Sequence, residues 1–440
     1  MNQPLNDPSP ASVILAERVE VPKTLPIDGR QKADVVVIGA GITGLSAALH
    51  LAQKGREVVV LEAGPISRGG SGRPLGLVLP HHHLDPDQLV ARFGHRVGRR
   101  LVEGILEGPS LVEAIIKAHH IECELRNGGW IMAAHKPAAE HRIRASVASW
   151  SKDTNKDTNQ VSLLTADEMK QATGSSFYSC GLIDKRAFGL NPYAYTVGLA
   201  RTALSHGVRI YTESRVISLE GSDKRWRATT ATGQAEAAEI VVATDAYTDN
   251  LVPAIRRAVL PVRLYQLVSE PLASDVAAEI LPGQPILTDT RRLYGGVRKT
   301  ADDRLQISVD GPPTAFSGRA FRDAATRRIT SLYPHLGQLK WADEWSGWVG
   351  MTRSHLPHIW RVEDGLTAAV GMNGRGIAMA TLLGRDLSWR LTGAKEEECF
   401  VPIDPPLSWH APGVLWPAVE VVVRWKRLLD YLDLRQRSRN

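Results

Sequence analysis

ADVVVIGAGITGLSAALHLAQKGREVVVLE, residues 33–62, is the stretch from which the rest of the chain is read. Val35–Ile38 is a short unbroken apolar run, the pattern of a parallel strand buried on both faces. Gly39-Ala40-Gly41-Ile42-Thr43-Gly44 follows at once as GxGxxG. Leu45–Lys54 then has helical spacing (Leu45, Ala48, Leu49, Ala52) without proline, and Gly55 is a C-terminal stop. Val58–Leu61 predicts a second buried strand, ending at Glu62. A bare GxGxxG is weak evidence. This one lies between a strand and a helix, with an acid roughly 20 residues on, which is the context a dinucleotide fingerprint requires.

Each position has a physical use. Gly39 makes the tight turn, Gly41 admits a pyrophosphate to the backbone, and Gly44 lets helix and strand pack closely, while the helix N-terminus offers N–H groups to phosphates. Glu62 can accept hydrogen bonds from an adenosine ribose, and its charge would repel a 2′-phosphate. The ligand expected from this stretch alone is FAD or NAD.

The bulk properties narrow the class. At 440 residues the chain is long enough for two interleaved domains. A net charge of +6, from 53 basic and 47 acidic residues, is small, and the basic residues are scattered except near the C-terminus. A nucleic-acid partner is therefore not implied. Three cysteines, Cys123, Cys180 and Cys399, lack a CxxC spacing, so no disulfide framework or zinc site is expected and a reducing cytoplasm is the simplest setting. The N-terminus has no signal-peptide pattern, and no apolar run reaches the ~18 residues needed to span a bilayer.

Along the chain, 1–32 is expected to be an arm wrapped on the body. Gly64–Pro80, GPISRGGSGRPLGLVLP, leaves the second strand where a dinucleotide would lie, and its glycines can bring N–H groups to an anionic or carbonyl-rich ligand. His81-His82-His83 alternates sides on an extended segment, so the reading is a polar stretch with no metal. Helices are predicted at Asp87–His120, to about Trp150, at Thr165–Thr173 with a TxxE capping box, at Asn191–Ser205 and at Gly318–Leu332. The tandem KDTN within SKDTNKDTNQ, residues 151–160, reads as an exposed loop. Strands are predicted at Val208–Val216, Ile217–Leu219, Trp226–Ala231, Glu239–Thr244, Pro261–Ser269 and Arg304–Val309. Arg424–Leu434 puts Trp425, Leu428, Leu429 and Leu432 on one face beneath basic residues. This amphipathic helix is expected to pack on the protein's own surface, with weak membrane-surface contact as the alternative.

Four stretches together carry a family resemblance. VVVIGAGITGLSAALHLAQKGREVVVLEAG is followed by GGSGRPLG (69–76), by EIVVATDAYT (239–248), and by WSGWVGMTRSHLPHI with GMNGRGIAMATLLG (345–359 and 371–384). In that order they resemble the FAD-dependent D-amino-acid-oxidase-like oxidoreductases, the branch with gamma-glutamylputrescine, glycine and sarcosine oxidase relatives, from about Ala33 to Gly393. The resemblance implies an α/β fold, with a Rossmann-like, glutathione-reductase-like FAD-binding domain interleaved with an α+β substrate domain on a mixed or antiparallel sheet. The division it implies is 33–90, 160–255 and 342–400 for FAD, 91–159 and 256–341 for substrate, and 401–440 as a C-terminal extension.

By the same resemblance Gly39, Ala40, Gly41, Ile42, Thr43 and Gly44 hold the pyrophosphate, and Glu62 and Ala63 the ribose. Gly70, Ser71, Gly72, Leu75 and Gly76 line the flavin, Val216 meets the adenine, and Ala243 and Thr244 end a strand beside it. Gly374, Arg375, Gly376 and Ile377 face the pyrimidine edge, where positive potential raises the flavin's electron affinity. The implied reaction is oxidation of the C–N bond of an amine or amino acid, with oxygen or a quinone as acceptor and no strong general base. Covalent branches use a cysteine where this chain has Val349, or a histidine where it has Pro74, so FAD is expected to be noncovalent. Gln306 aligns with a lysine that activates oxygen in the sarcosine-oxidase branch. The expected catalytic set is Tyr294, Arg298, Trp345 and Arg375, with Tyr294 and Arg298 on a substrate carboxylate and Tyr265, Trp345 and Trp348 as an aromatic wall. A flavin hydroxylase, a tRNA-modifying FAD module and a non-catalytic flavin-binding partner protein are the alternatives.

Overall fold

Val35–Ile38 and Val58–Leu61 are buried along their whole length and pair in parallel, Val35 opposite Val58 and Ile38 opposite Leu61. The computed structural model describes residues 13–152, 160–222, 225–292, 295–310, 318–337, 339–402, 404, 408–409, 421–422, 425–426, 428–430 and 432–433. The two valine strands are the centre of a six-stranded sheet in the order His358–Glu363, Leu366–Val370, Glu239–Val242, Val35–Ile38, Val58–Leu61, Arg209–Tyr211. All of its pairings are parallel except that of His358–Glu363. Successive side chains of a strand leave by opposite faces. Val35, Val37, Val58 and Val60 therefore meet the helices Ile42–Gln53, Pro192–Ser205 and Gly376–Leu391. Val36, Ile38, Val59 and Leu61 meet Trp226, Ala228 and Ala235 of a four-stranded sheet. Burial on both sides is why these strands read as continuous apolar runs.

The arm contributes to that smaller sheet: Gly29–Lys32 pairs in parallel with Gly233–Ala237, and Ile27 is fully buried. Ser218–Ser222 and Arg225–Thr229 complete it. The strand expected at Val208–Val216 is confined to Arg209–Tyr211, because the chain turns through a left-handed Glu213 at φ 49°.

An eight-stranded mixed sheet forms the second layer system, in the order Trp341–Met351, Leu260–Ser269, Leu305–Asp310, Gly296–Lys299, Ile286–Asp289, Trp130–Ala133, Gly181–Asp184, Val161–Leu164. The helix Gly318–Leu332 covers one face, with Phe321, Ala325 and Ile329 against Leu287, Val297 and Ile307. Val161–Leu164, Gly181–Asp184 and Trp341–Met351 belong to this sheet, although the sequence division assigned 160–255 and 342–400 to the nucleotide part. Each sheet is assembled from strands distant in sequence, so the boundary is set by tertiary pairing rather than by a local signal.

The long helix Pro86–Ala118 begins in a capping box of Asp85 and Gln88 and is broken at Gly94, where φ 76° and ψ 164° leave the helical region. The box predicted at Thr165 forms: Thr165 N–H donates to Glu168 at 2.7 Å and Glu168 N–H returns to Thr165 Oγ1 at 3.4 Å. Apart from Lys152, the KDTN repeat lies outside the described residues.

Candidate active site

The early glycine turn is built by steric necessity. Gly39 has φ +104°, and a Cβ there would lie 3.1 Å from the Ala243 carbonyl oxygen. A Cβ on Gly44 would lie 2.0 Å from the Gly39 carbonyl oxygen, so helix and strand touch at backbone distance. Gly41 is the N-cap of Ile42–Gln53; no side chain caps the helix and its first turn carries no acid. Ile42 N–H donates to Ser71 Oγ at 3.0 Å, which pins the second glycine-rich loop over the helix end. Such an end presents N–H groups and positive potential to whatever lies beyond it.

At the end of the second strand the buried Glu62 accepts from Ala40 N–H at 2.7 Å and Gly64 N–H at 3.1 Å. Burial pushes its carboxyl up from the usual range, opposed by those N–H groups.

The late turn repeats the design. Gly374 has φ +75°, and Gly376–Leu391 starts with no side-chain cap and no acid in its first turn. Asp245 ties the turn down: its Oδ1 accepts Gly371 N–H at 2.7 Å. A Cβ on Gly350 would lie 2.3 Å from the same oxygen. Burial raises the Asp245 carboxyl, and the surrounding N–H groups of Gly371, Ala246 and Gly350 oppose the rise. Asp245 stands directly after the strand Glu239–Val242 and its Ala-Thr end, whose Ala243 carbonyl lies against Gly39 of the early turn.

Both turns open on one cavity. Of the residues expected at the cofactor, Gly39, Ala40, Gly41, Ile42, Thr43, Glu62, Ala63, Gly70, Ser71, Val216, Ala243, Thr244, Gly374, Gly376 and Ile377 line it. Gly44, Gly72, Leu75, Gly76 and Arg375 do not line it. Gly44 serves helix packing, a Cβ on Gly72 would lie 2.3 Å from Ser67 O, and one on Gly76 would lie 1.9 Å from Leu190 O. Leu75 is buried, its Cδ2 2.5 Å from where a Cβ on Gly296 would sit. Pro74 and Val349, read from the sequence as the places of covalent linkage in other branches, also line it, whereas the sequence reading missed Arg215, Asp245, Tyr247, Leu264 and Met372. Asp245 had a signal, an acid directly after a buried strand's Ala-Thr end; Arg215, Tyr247 and Leu264 had none.

The substrate set is rearranged. Arg298 is buried off the cavity, with Nε on Gln306 Oε1 at 2.8 Å and Nη1 on the Leu190 carbonyl at 2.5 Å. Gln306 continues to Gln266 at 3.3 Å, and Gln266 to Ser308 Oγ at 2.9 Å, a polar row across three strands. Trp345 is buried with Nε1 on the Arg73 carbonyl at 2.8 Å, and Tyr265 stacks on Phe321 with centroids 3.5 Å apart. Of the three aromatics, only Trp348 lines the cavity. Arg375 is not among the lining residues, and its guanidinium lies 5.6 Å from the Trp130 ring centroid. Tyr294 lies outside the described residues.

The histidines are tied into the same region. His81 meets Asp184 at 2.8 Å and packs between Trp130 and Trp150. Burial pushes the Asp184 carboxyl up, but Arg186 and His81 outweigh it and hold it at about 2. His83 Nε2 donates to the Asn373 carbonyl at 2.7 Å, bracing the late turn. His82 is buried, and burial with the nearby positive charges of His83 and Arg375 lowers it to about 3. Its folded form therefore excludes a proton that the unfolded chain accepts below pH ~6.5, so its stabilisation is full above that pH and is lost as pH falls toward 3. The slope is about 1.4 kcal/mol per pH unit within that window. The melting temperature should fall between pH 6.5 and 4, and His82→Gln should flatten the fall; an unchanged slope would remove His82 from the account.

Known proteins match at this level. The family described as FAD dependent oxidoreductase (DAO) matches residues 34–390. A protein named "Probable oxidoreductase OrdL" of Haemophilus influenzae is 28% identical over 92% of this chain and 94% of its own. Gamma-glutamylputrescine oxidoreductase of Escherichia coli is 29% identical over 82% of this chain and 84% of its own. Among solved structures, glycine oxidase of Bacillus cereus superposes with a TM-score of 0.69 at 19% identity, over 86% of this chain and 99% of that one.

Proposed function

The chain belongs to the DAO family of FAD-dependent oxidoreductases, and from that premise we propose that it oxidises the C–N bond of an amine or amino acid, giving an imine that water cleaves to a carbonyl compound and an amine. The observation that carries this reading is the pair of uncapped helix starts, Ile42 and Gly376, opening on one cavity that Asp245 also lines.

The donor set fits the cofactor. Within Gly39–Thr43 the N–H groups of Gly41 and Thr43 would face the pyrophosphate, those of Gly39, Ala40 and Ile42 being taken by Leu61, Glu62 and Ser71, and Glu62 would accept from the adenosine ribose. Gly374, Gly376 and Ile377 would present N–H groups and the late helix's positive end to the flavin's pyrimidine edge. FAD, when bound, supplies the two-electron acceptor for the C–N bond. The chain's share is positioning and dryness: Trp348, Leu264, Val349 and Met372 give apolar walls that keep water from a bound amine. No side chain needs to act as a strong base on a neutral amine.

Noncovalent attachment is part of the proposal. Val349 and Pro74, at the two places of covalent linkage in other branches, line the cavity. The three cysteines are buried, and none of them is among the lining residues. The likeness to gamma-glutamylputrescine oxidoreductase over 84% of that protein's length favours this reading over a hydroxylase or a tRNA-modifying module. We place the six-stranded sheet and its helices on the cofactor side and the eight-stranded sheet on the substrate side. Oxygen or a quinone takes the electrons onward.

Glu62→Gln, which removes the charged acceptor, is expected to weaken FAD binding by about 1.4–3 kcal/mol, tenfold or more. Titration of stripped protein with FAD measures this, and an unchanged Kd would take Glu62 out of the ribose site. The function itself is tested by anaerobic mixing with a panel of amines and amino acids. At least one should bleach the flavin, after which air or a soluble quinone identifies the acceptor. A protein that holds FAD yet is bleached by none of them contradicts the proposed chemistry.

A further inference from the structure

Residues 421–440, VVVRWKRLLDYLDLRQRSRN, carry six basic side chains, Arg424, Lys426, Arg427, Arg435, Arg437 and Arg439, against two acids, Asp430 and Asp433. Both acids are engaged by the body of the protein. Asp430 Oδ1 meets Arg292 Nη1 at 2.9 Å and the Arg292 N–H at 3.2 Å. Asp433 Oδ2 meets Arg292 at 2.6 Å and Lys136 at 2.8 Å. His135 also lies 3.6 Å from Asp433, but Arg292 and Lys136 already neutralise the two carboxylates, so the cluster is a clasp rather than a cation site.

The clasp turns the helix the opposite way from the sequence expectation. The described residues at 421–422, 425–426, 428–430 and 432–433 are helical. Val421, Trp425, Leu428 and Leu432 stand at i, i+4, i+7 and i+11, which is one face. That face is exposed: 65%, 58%, 46% and 45% respectively. With Val422 they are five of the eight large exposed hydrophobics among the described residues. The expected packing of Trp425, Leu428 and Leu432 on the body does not occur, because the two ion-paired acids take the inward side.

We propose that this helix seats the protein on an anionic membrane surface, whichever amine the active site takes. Trp425, Leu428 and Leu432 enter the boundary between headgroups and acyl chains, and the basic residues meet lipid phosphates. Charge selects this occupant. With both acids consumed by the clasp, the formal charge left to an outside partner is positive. A second copy would bring a segment of the same net positive charge and repel it, whereas an anionic bilayer complements both the apolar stripe and the charge of the segment.

The test is co-sedimentation of the FAD-loaded full chain with vesicles. Equal parts phosphatidylglycerol and phosphatidylcholine should carry the protein down, and phosphatidylcholine alone should carry much less. High salt should weaken the binding. The double variant Trp425→Glu, Leu428→Glu should lose about tenfold or more of the bound fraction at unchanged flavin absorbance and unchanged amine-driven bleaching. Leu428→Ser, Leu432→Ser is the milder pair should the first lose its flavin. Protein that stays in the supernatant with anionic vesicles overturns the proposal. So does binding that both variants leave intact, or a dimer that they dissociate in a protein with no vesicle affinity.

Discussion

Gly44→Ala is expected to yield a protein that no longer retains FAD. The new Cβ would sit 2.0 Å from the Gly39 carbonyl oxygen and 3.1 Å from Val37 Cγ1. The first of these is backbone, at the turn that holds the pyrophosphate, so no flexible side chain can yield. Helix Ile42–Gln53 has to lift from its strand, at a cost of about 3 kcal/mol or more. The helix end then leaves the cavity it opens on. Flavin absorbance per chain and the melting temperature measure both consequences. Gly55→Ala is the matched control. Its φ is +77° with nothing within 4 Å of a Cβ, so it should cost only about 1 kcal/mol and keep the flavin. A Gly44→Ala protein as yellow and as stable as the parent would contradict the close packing.

Arg298→Ala is expected to destabilise the fold without selecting against carboxylate-bearing substrates. Burial lowers the guanidinium to about 10, so it stays charged at neutral pH, and its contacts are internal. Truncation strands the Leu190 carbonyl and Gln306 Oε1 and breaks the row through Gln266 to Ser308. Orphaning buried partners of a charged group costs about 3–5 kcal/mol. The melting temperature should drop by several degrees, while the ratio of KM values for amino acids and for simple amines stays constant. A stable variant whose KM rises only for carboxylates would restore the role inferred from sequence.

The contrast between these two positions shows what the sequence could disclose. The early turn was legible because each of its glycines answers a local requirement that only glycine meets, and because Val35–Ile38 and Val58–Leu61, buried on both faces, cannot be mistaken for amphipathic segments. The late turn was legible for the same reason at Gly374 and Gly376. Arg298 and Trp345 bond inward, which the sequence could not show because alternation along a strand gives the face but not the neighbour. Arg298 is on an inward face, yet its partner Leu190 comes from a segment more than a hundred positions earlier. Asp245 was quoted without being read, since its use depends on Gly371, which only the fold brings near. The C-terminal helix was read with the correct face and the wrong direction. Its amphipathicity is a local property, whereas Arg292 and Lys136, which decide what it turns inward, are distant in the chain.

The most direct measurement of the central claim is the visible spectrum of the purified protein before and after acid precipitation. A yellow protein near one FAD per chain is expected, with all of the flavin released to the supernatant because nothing at Val349 or Pro74 can bond to it. A colourless protein that takes up no added FAD would contradict it.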